Sequence, residues 1–174
     1  MPLTAPDIRR LFSLLNKELA KKEIKGELYL VGGAVLCLVH QLRPSTKDID
    51  AYFLPVSEIR AAAARVALAT ELREDWLNDA VKGYLSAKGE FAPFLELSHL
   101  TILTAQPEYL LAMKCLAMRL GEEFHDLEDV RYLLRYLNIA NYQTALDCIS
   151  KYYPAERFPQ KTLYALESII NGEM

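Results

Sequence analysis

Asp48 and Asp50 are one residue apart in the run Lys47-Asp48-Ile49-Asp50-Ala51-Tyr52-Phe53. In an extended strand the side chains at i and i+2 leave the same face, so this spacing predicts two neighbouring carboxylates. Such a pair repels itself unless a cation lies between the two. A small set of hard oxygen donors suits Mg²⁺, which completes its shell with water and phosphate oxygens. Upstream stands Leu30-Val31-Gly32-Gly33, with Gly33 fourteen residues before Lys47. Glycine lets backbone come close to a ligand. Ser45 and Thr46 add hydroxyls just before the aspartates, and Lys47 an ammonium that alternation turns to the opposite side. The expectation is a metal-and-phosphate site, with Asp48 and Asp50 on Mg²⁺ and Gly32, Gly33, Ser45 and Thr46 against phosphate oxygens. The plain alternative is a turn followed by a solvated strand face.

The elements that must position these groups are legible in outline. Thr4-Ala5-Pro6-Asp7 has N-cap and first-turn chemistry, and Ile8, Leu11, Leu14, Leu15 and Leu19 mark one face of a helix ending near Gly26. A strand is expected over Glu27–Val31, a helix over Ala34–Leu42 ended by Pro44, and a second strand over Asp48–Leu54 with Ile49, Ala51 and Phe53 opposite the aspartates. A helix begun by Ser57 runs to about Leu72, and another helical pattern covers Asp75–Leu85. Phe94–Leu97 and Leu100–Thr104 read as strands. Helices are expected over about Pro107–Leu120, Leu127–Leu137, Tyr142–Tyr152 and Thr162–Ile170. A strand-rich first half and an all-helical second half predict an α/β (α+β) chain: a small mixed-sheet core over residues 1–105 and a helical subdomain over 106–174, either separate or packed as one domain.

Composition narrows the classes. The chain has 174 residues, 52% apolar and 25% charged, enough to bury a core. No run reaches the roughly eighteen apolar residues of a membrane span. Thr4–Lys25 alternates charged and apolar residues at helical spacing, unlike a leader peptide. Three cysteines (Cys37, Cys115, Cys148) without metal spacing argue for buried thiols in a reducing, cytoplasmic setting. The formal net charge of −3 excludes a wholly basic nucleic-acid surface, although residues 1–25 carry a local surplus of Lys and Arg. His40, His99 and His125 show no ligand spacing, and His40 and His99 read as structural.

Further along, Lys114 is the one charge in Tyr109-Leu-Leu-Ala-Met-Lys-Cys-Leu-Ala-Met118. A nearly all-apolar helix is a buried one, so this Lys either snorkels at the helix edge or meets an anion. Asp126 and Asp129 open the next helix, where first-turn carboxylates are favoured by the dipole. Asp126 also lies over Val130, Leu133 and Leu137, close to the apolar stripe, which suggests a pair with Lys114. Aromatic residues crowd the C-terminal half. Most are core; one or two are suited to stacking on a base, and the sequence does not choose which.

The compound Gly-Gly, spacer, Asp-x-Asp over about Glu27–Phe53 resembles the signature of the nucleotidyltransferase superfamily with the DNA polymerase beta-like fold. The resemblance implies that the glycines hold a nucleoside triphosphate, that Asp48 and Asp50 hold Mg²⁺, and that a nucleotide passes to an acceptor hydroxyl with release of pyrophosphate. It extends weakly to about Leu137. Lys114, Arg119 and His125-Asp126-x-x-Asp129-Val130 are similar to the downstream motif of AbiEii-type nucleotidyltransferase toxins, with His125 where those carry Lys or Arg. That likeness implies catalytic roles for Lys114 and Asp126, a tRNA 3′ end as acceptor and an antitoxin protein as partner. The superfamily usually has a third carboxylate on a later strand, for which Glu96, Asp79 and Asp126 are the candidates unless the chain works with two. The competing readings are a small-molecule or protein acceptor, a degenerate nucleotidyltransferase fold acting as a binding or antitoxin-like module, and a helical interaction protein whose Asp-x-Asp is accidental.

Overall fold

The computed structural model describes residues 2–118 and 125–173. The chain is mixed α/β, as the pattern of elements predicts, and divides into two units: residues 1–83 with 91–105, and residues 84–90 with 106–174. Against an expected break at residue 105, the segment 84–90 groups with the helices.

In the first unit, β1 (Leu3–Thr4) leads into α1 (Ala5–Lys21). Thr4 and Asp7 close a reciprocal cap, the Asp7 backbone N–H donating to the Thr4 hydroxyl and the Thr4 N–H to the Asp7 carboxylate at 2.9 Å. These bonds, and Arg10 nearby, hold the Asp7 carboxyl below its ordinary range. β2 (Gly26–Val31) follows, then α2 (Gly33–Leu38), β3 (Ser45–Thr46), β4 (Ile49–Leu54), α3 (Val56–Thr70), β5 (Leu77–Asn78), a 3-10 turn over Ala80–Tyr84, β6 (Phe91–Glu96) and β7 (Leu100–Ala105). The five-stranded sheet has the order β5-β4-β2-β7-β6. β2 pairs antiparallel with β4 and parallel with β7; β5 runs parallel to β4, and β6 antiparallel to β7. β1 and β3 form a separate two-stranded ribbon, with Leu3 opposite Thr46 and Thr4 opposite Ser45.

A Cβ on Gly26 would stand 2.8 Å from Ile59 and 3.2 Å from Leu19, which fixes the sheet face on which α1 and α3 lie. Leu28, Leu30, Ile49, Ala51, Phe53, Leu100 and Ile102 alternate onto that face and are buried. Burying each of the larger side chains contributes about 1.5–3 kcal/mol. Arg65 of α3 donates to Glu18 of α1 at 3.0 Å, and with Lys21 it holds the Glu18 carboxyl below its usual range.

Three local expectations differ. α2 stops at Leu38 rather than Leu42: Gln41 takes a left-handed φ of +53°, and the Leu42 N–H turns back to the Leu36 carbonyl. Pro55, not Ser57, stands at the N-cap of α3, with no side-chain cap bond. Asp75–Leu85 is helical only over Ala80–Tyr84, as a 3-10 turn, and Leu77–Asn78 is a strand. The Ile49 N–H donates to the Trp76 carbonyl, Leu77 pairs with Ile49 and is buried, and Trp76 Nε1–H donates to the Ala63 carbonyl at 3.0 Å. Pairing and burial override a weak local preference.

The second unit is helical: α4 (Pro107–Leu116), α5 (Asp126–Tyr136), α6 (Tyr142–Ile149) and α7 (Gln160–Ile170). α4 packs on the other three, which accounts for its nearly all-apolar sequence. Tyr109, Tyr152, Tyr153 and Phe158 make a buried aromatic cluster. The Ser86 N–H donates to the Tyr109 hydroxyl at 2.9 Å, and Tyr152 donates to Glu90 at 2.6 Å. All three cysteines are free and buried, and burial beside Cys148 pushes the Cys115 thiol up to about 12. Among the described residues no helix is long and apolar enough to cross a membrane.

Candidate functional site

β2 delivers the chain to Gly32, whose φ of +67° and ψ of −145° lie close to a backbone region populated essentially by glycine. A Cβ there would stand 3.4 Å from Asp50 Oδ2, so the turn lies directly against that carboxylate. Gly33 is constrained differently. Its Cβ would come within 2.8 Å of Thr46 Oγ1 and 3.3 Å of Arg43 Nη1, a close approach that only hydrogen permits. The Thr46 hydroxyl donates to the Asp48 carbonyl at 3.2 Å, and its backbone is held by the β1–β3 ribbon. The structure thus gathers Gly32, Gly33, Arg43, Thr46 and Asp50 at one end of the sheet. Gly32→Ala is expected to destabilise the protein by about 1–3 kcal/mol, read as a lower urea midpoint at unchanged slope.

The two aspartates differ in setting. Asp50 lies within β4, opposite Val31, on the face away from α1 and α3. Asp48 precedes the first paired residue, in a bend, so the strand geometry expected of both acids holds only for Asp50. Asp48 lines a cavity of about 730 Å³ with Arg10, Lys47, Arg73, Asp75 and Trp76 among its other walls. Burial, and then Asp75, push its carboxyl above the ordinary 3.8, against the pull of Arg73 and Lys47. A carboxyl raised by folding favours the folded state while protonated and loses that contribution as pH rises through its folded pKa. Asp48→Asn is therefore expected to match the parent's melting temperature in acid and exceed it progressively as pH rises from about 4 toward neutrality, followed by thermal melts across that range.

Ser45 sits in β3, paired with Thr4 and partly exposed; no bond of its hydroxyl ties it to the turn. Lys47 is exposed. The register places Glu96 far away. It pairs with Thr101, which pairs with Glu27, which pairs with Leu54, a row about 13 Å along β4 from Asp50 and three strands across the sheet. Asp79 is held by Arg60 at 2.8 Å and Lys82 at 3.5 Å. The residue directly in register with Asp50 on β5 is Asn78, an amide. Arg43 was missed from sequence, although it is the one cation between the glycines and Ser45. Asn78 lies in a stretch that reads as helix, and sheet register rather than helical spacing brings it to Asp50.

In the second unit Lys114 Nζ lies 2.9 Å from Asp126 Oδ1 and 2.8 Å from Asp129 Oδ2, with side chains 16%, 4% and 1% exposed. The contact with Asp129 is an ion pair rather than an aligned hydrogen bond. The expected inward pair is a triad, and two carboxylates meet the ammonium within this unit. His125 and Glu128 are exposed beside it. Arg119, part of the toxin-like pattern, lies outside the described residues. His99 is tied into its hairpin by Asn16 and Ser98, and burial lowers the pKa of His40.

Among the described residues no group of three or more His, Cys, Asp or Glu is gathered so as to hold a metal ion. Mg²⁺ commonly takes one or two carboxylates from protein, and Asp50 is the one that lies against the glycine turn. No family model, no curated protein and no solved structure matches the chain.

Proposed function

We propose that the first unit binds a nucleoside triphosphate at the Gly32–Gly33 turn and transfers its nucleotide to an acceptor hydroxyl, as in a toxin-like nucleotidyltransferase. One observation carries the reading. A glycine held in a conformation that other residues avoid lies against the Asp50 carboxylate, while the next glycine lets a hydroxyl and a guanidinium close on the backbone. Bare backbone and Arg43 suit phosphate oxygens, which accept hydrogen bonds and attract an Arg fork; the Thr46 hydroxyl would join them by leaving the Asp48 carbonyl. Asp50, with Asp48 as the second donor, would hold Mg²⁺, which when bound neutralises phosphate charge.

The chemistry needed of the chain is positioning and charge stabilisation. The acceptor oxygen bonds to the α-phosphorus, the bond from that phosphorus to the bridging oxygen breaks, pyrophosphate leaves with the bridging oxygen, and the hydroxyl proton passes to water. Arg43 steadies the departing phosphates. The Lys114 triad, whose ammonium already faces two carboxylates, supports the helical unit rather than the phosphates. The acceptor favoured by the resemblance is a tRNA 3′ end, with an antitoxin protein as the expected partner. A second reading, a binding or antitoxin-like module without catalysis, is favoured by Asn78: an amide stands in register with Asp50 where a third carboxylate would serve.

Incubation of the full chain with each labelled nucleoside triphosphate, Mg²⁺, and either total tRNA or cell protein tests the proposal. Label entering RNA is the expected result. Label in protein would move the acceptor class, and no label in either fraction would select the non-catalytic module.

A further inference from the structure

We propose that Tyr52, with Tyr29 beside it, is the surface on which the nucleoside of the bound triphosphate lies. The inference rests on the phosphate reading of Gly32–Gly33 and names what the same site does with the rest of the ligand. β2 and β4 are in register, with Val31 opposite Asp50 and Tyr29 opposite Tyr52. Since Gly26 looks toward Ile59 and Leu19, alternation sends Leu28 and Leu30 to the helix side. It sends Tyr29 and Val31, with their partners Tyr52 and Asp50, to the other face. Moving from the glycine turn along this face, one meets the Asp50 carboxylate and then, about 7 Å further, the tyrosine pair. A ligand anionic at one end and flat and unsaturated at the other has that layout.

The ring geometry suits a base. Tyr29 and Tyr52 are tilted by 42° with centroids 5.9 Å apart, and Phe91 meets Tyr29 edge-on at 5.2 Å. The two tyrosine hydroxyls differ. Tyr29 donates to Glu27 Oε2 at 3.0 Å, which anchors its ring. The Tyr52 hydroxyl makes no hydrogen bond with any described residue, and Tyr52 is only half-buried. It therefore offers both a π face for stacking and an open donor and acceptor for a ribose hydroxyl or a base edge.

The test compares two ligands by calorimetric titration of the full chain in Mg²⁺: inorganic tripolyphosphate, which has the anionic end alone, and each nucleoside triphosphate in turn. At least one nucleoside triphosphate is expected to bind about tenfold more tightly than tripolyphosphate, the order of one aromatic stack. Tyr52→Ala should remove that preference while leaving tripolyphosphate affinity unchanged, which also reports that the variant is folded. Tyr52→Phe should keep most of it. Should the alanine variant fail to fold, Tyr52→Leu removes the ring plane and keeps the bulk. Equal binding of the two ligand types, or a preference that survives loss of the ring, overturns the nucleoside surface and leaves the phosphate site standing. No binding of either ligand overturns both.

Discussion

Lys114→Met is expected to destabilise the helical unit by about 3–5 kcal/mol, the usual result of removing one partner from a buried ion pair. Its ammonium lies between Asp126 and Asp129, whose side chains are almost wholly buried. Methionine fills a similar volume but removes the ammonium that both buried carboxylates share. Their burial then loses that compensation, or one must take up a proton. The unfolding transition of Lys114→Met in urea, followed by circular dichroism, measures the loss. Adding Asp126→Asn and Asp129→Asn should recover much of it, since neutral amides cost far less to bury than unpaired charges. A loss under 1 kcal/mol would mean that water already reaches the triad and screens it.

Asp50→Asn should cut nucleotide transfer at least a hundredfold, roughly what removing one preorganised charge-stabilising group costs, while the protein stays folded. Asparagine keeps the shape but lacks the charge needed beside a cation at the glycine turn. Asp50 stands within contact of that turn, whereas Asp48 lines the cavity with Arg10, Arg73 and Asp75, so Asp48→Asn should lose less. The readout is initial-rate labelling of the acceptor by each variant, alongside a melting curve. Equal losses would place both acids in one ligand set; an Asp50→Asn variant with full activity would remove the site from consideration.

What could be read from the amino acids follows physical locality. Gly32 was legible because its reason is local: the backbone there takes a conformation other residues resist. Asp50 was legible because the period-two alternation of Ile49, Ala51 and Phe53 marks the buried face and leaves the acid on the other. The helices of the second unit were found within a few residues because each carries its own apolar stripe or cap, as Asn141 does in accepting from the Thr144 N–H. Asp48 was misplaced by one position, since the two-residue ribbon holding Ser45 and Thr46 depends on a partner forty residues away. The same holds for Leu77, whose extended state is imposed by β4, and for Asn78, which meets Asp50 only through sheet register. The aromatic pair Tyr29–Tyr52 was visible as two residues but not as neighbours.

The short stretch 84–90, threaded into the helical unit from between two strands of the sheet, governs how the protein can be taken apart. Tyr109 closes on Gly89, where even a methyl group would collide with its ring at 2.5 Å, and Glu90 and Ser86 are bonded to the aromatic cluster. The backbone therefore passes between the units three times, after residues 83, 90 and 105. No single peptide-bond cleavage frees either one intact. A fragment starting at residue 106 would lack the plug over Tyr109, and one ending at 105 would carry that plug with nothing to seat it.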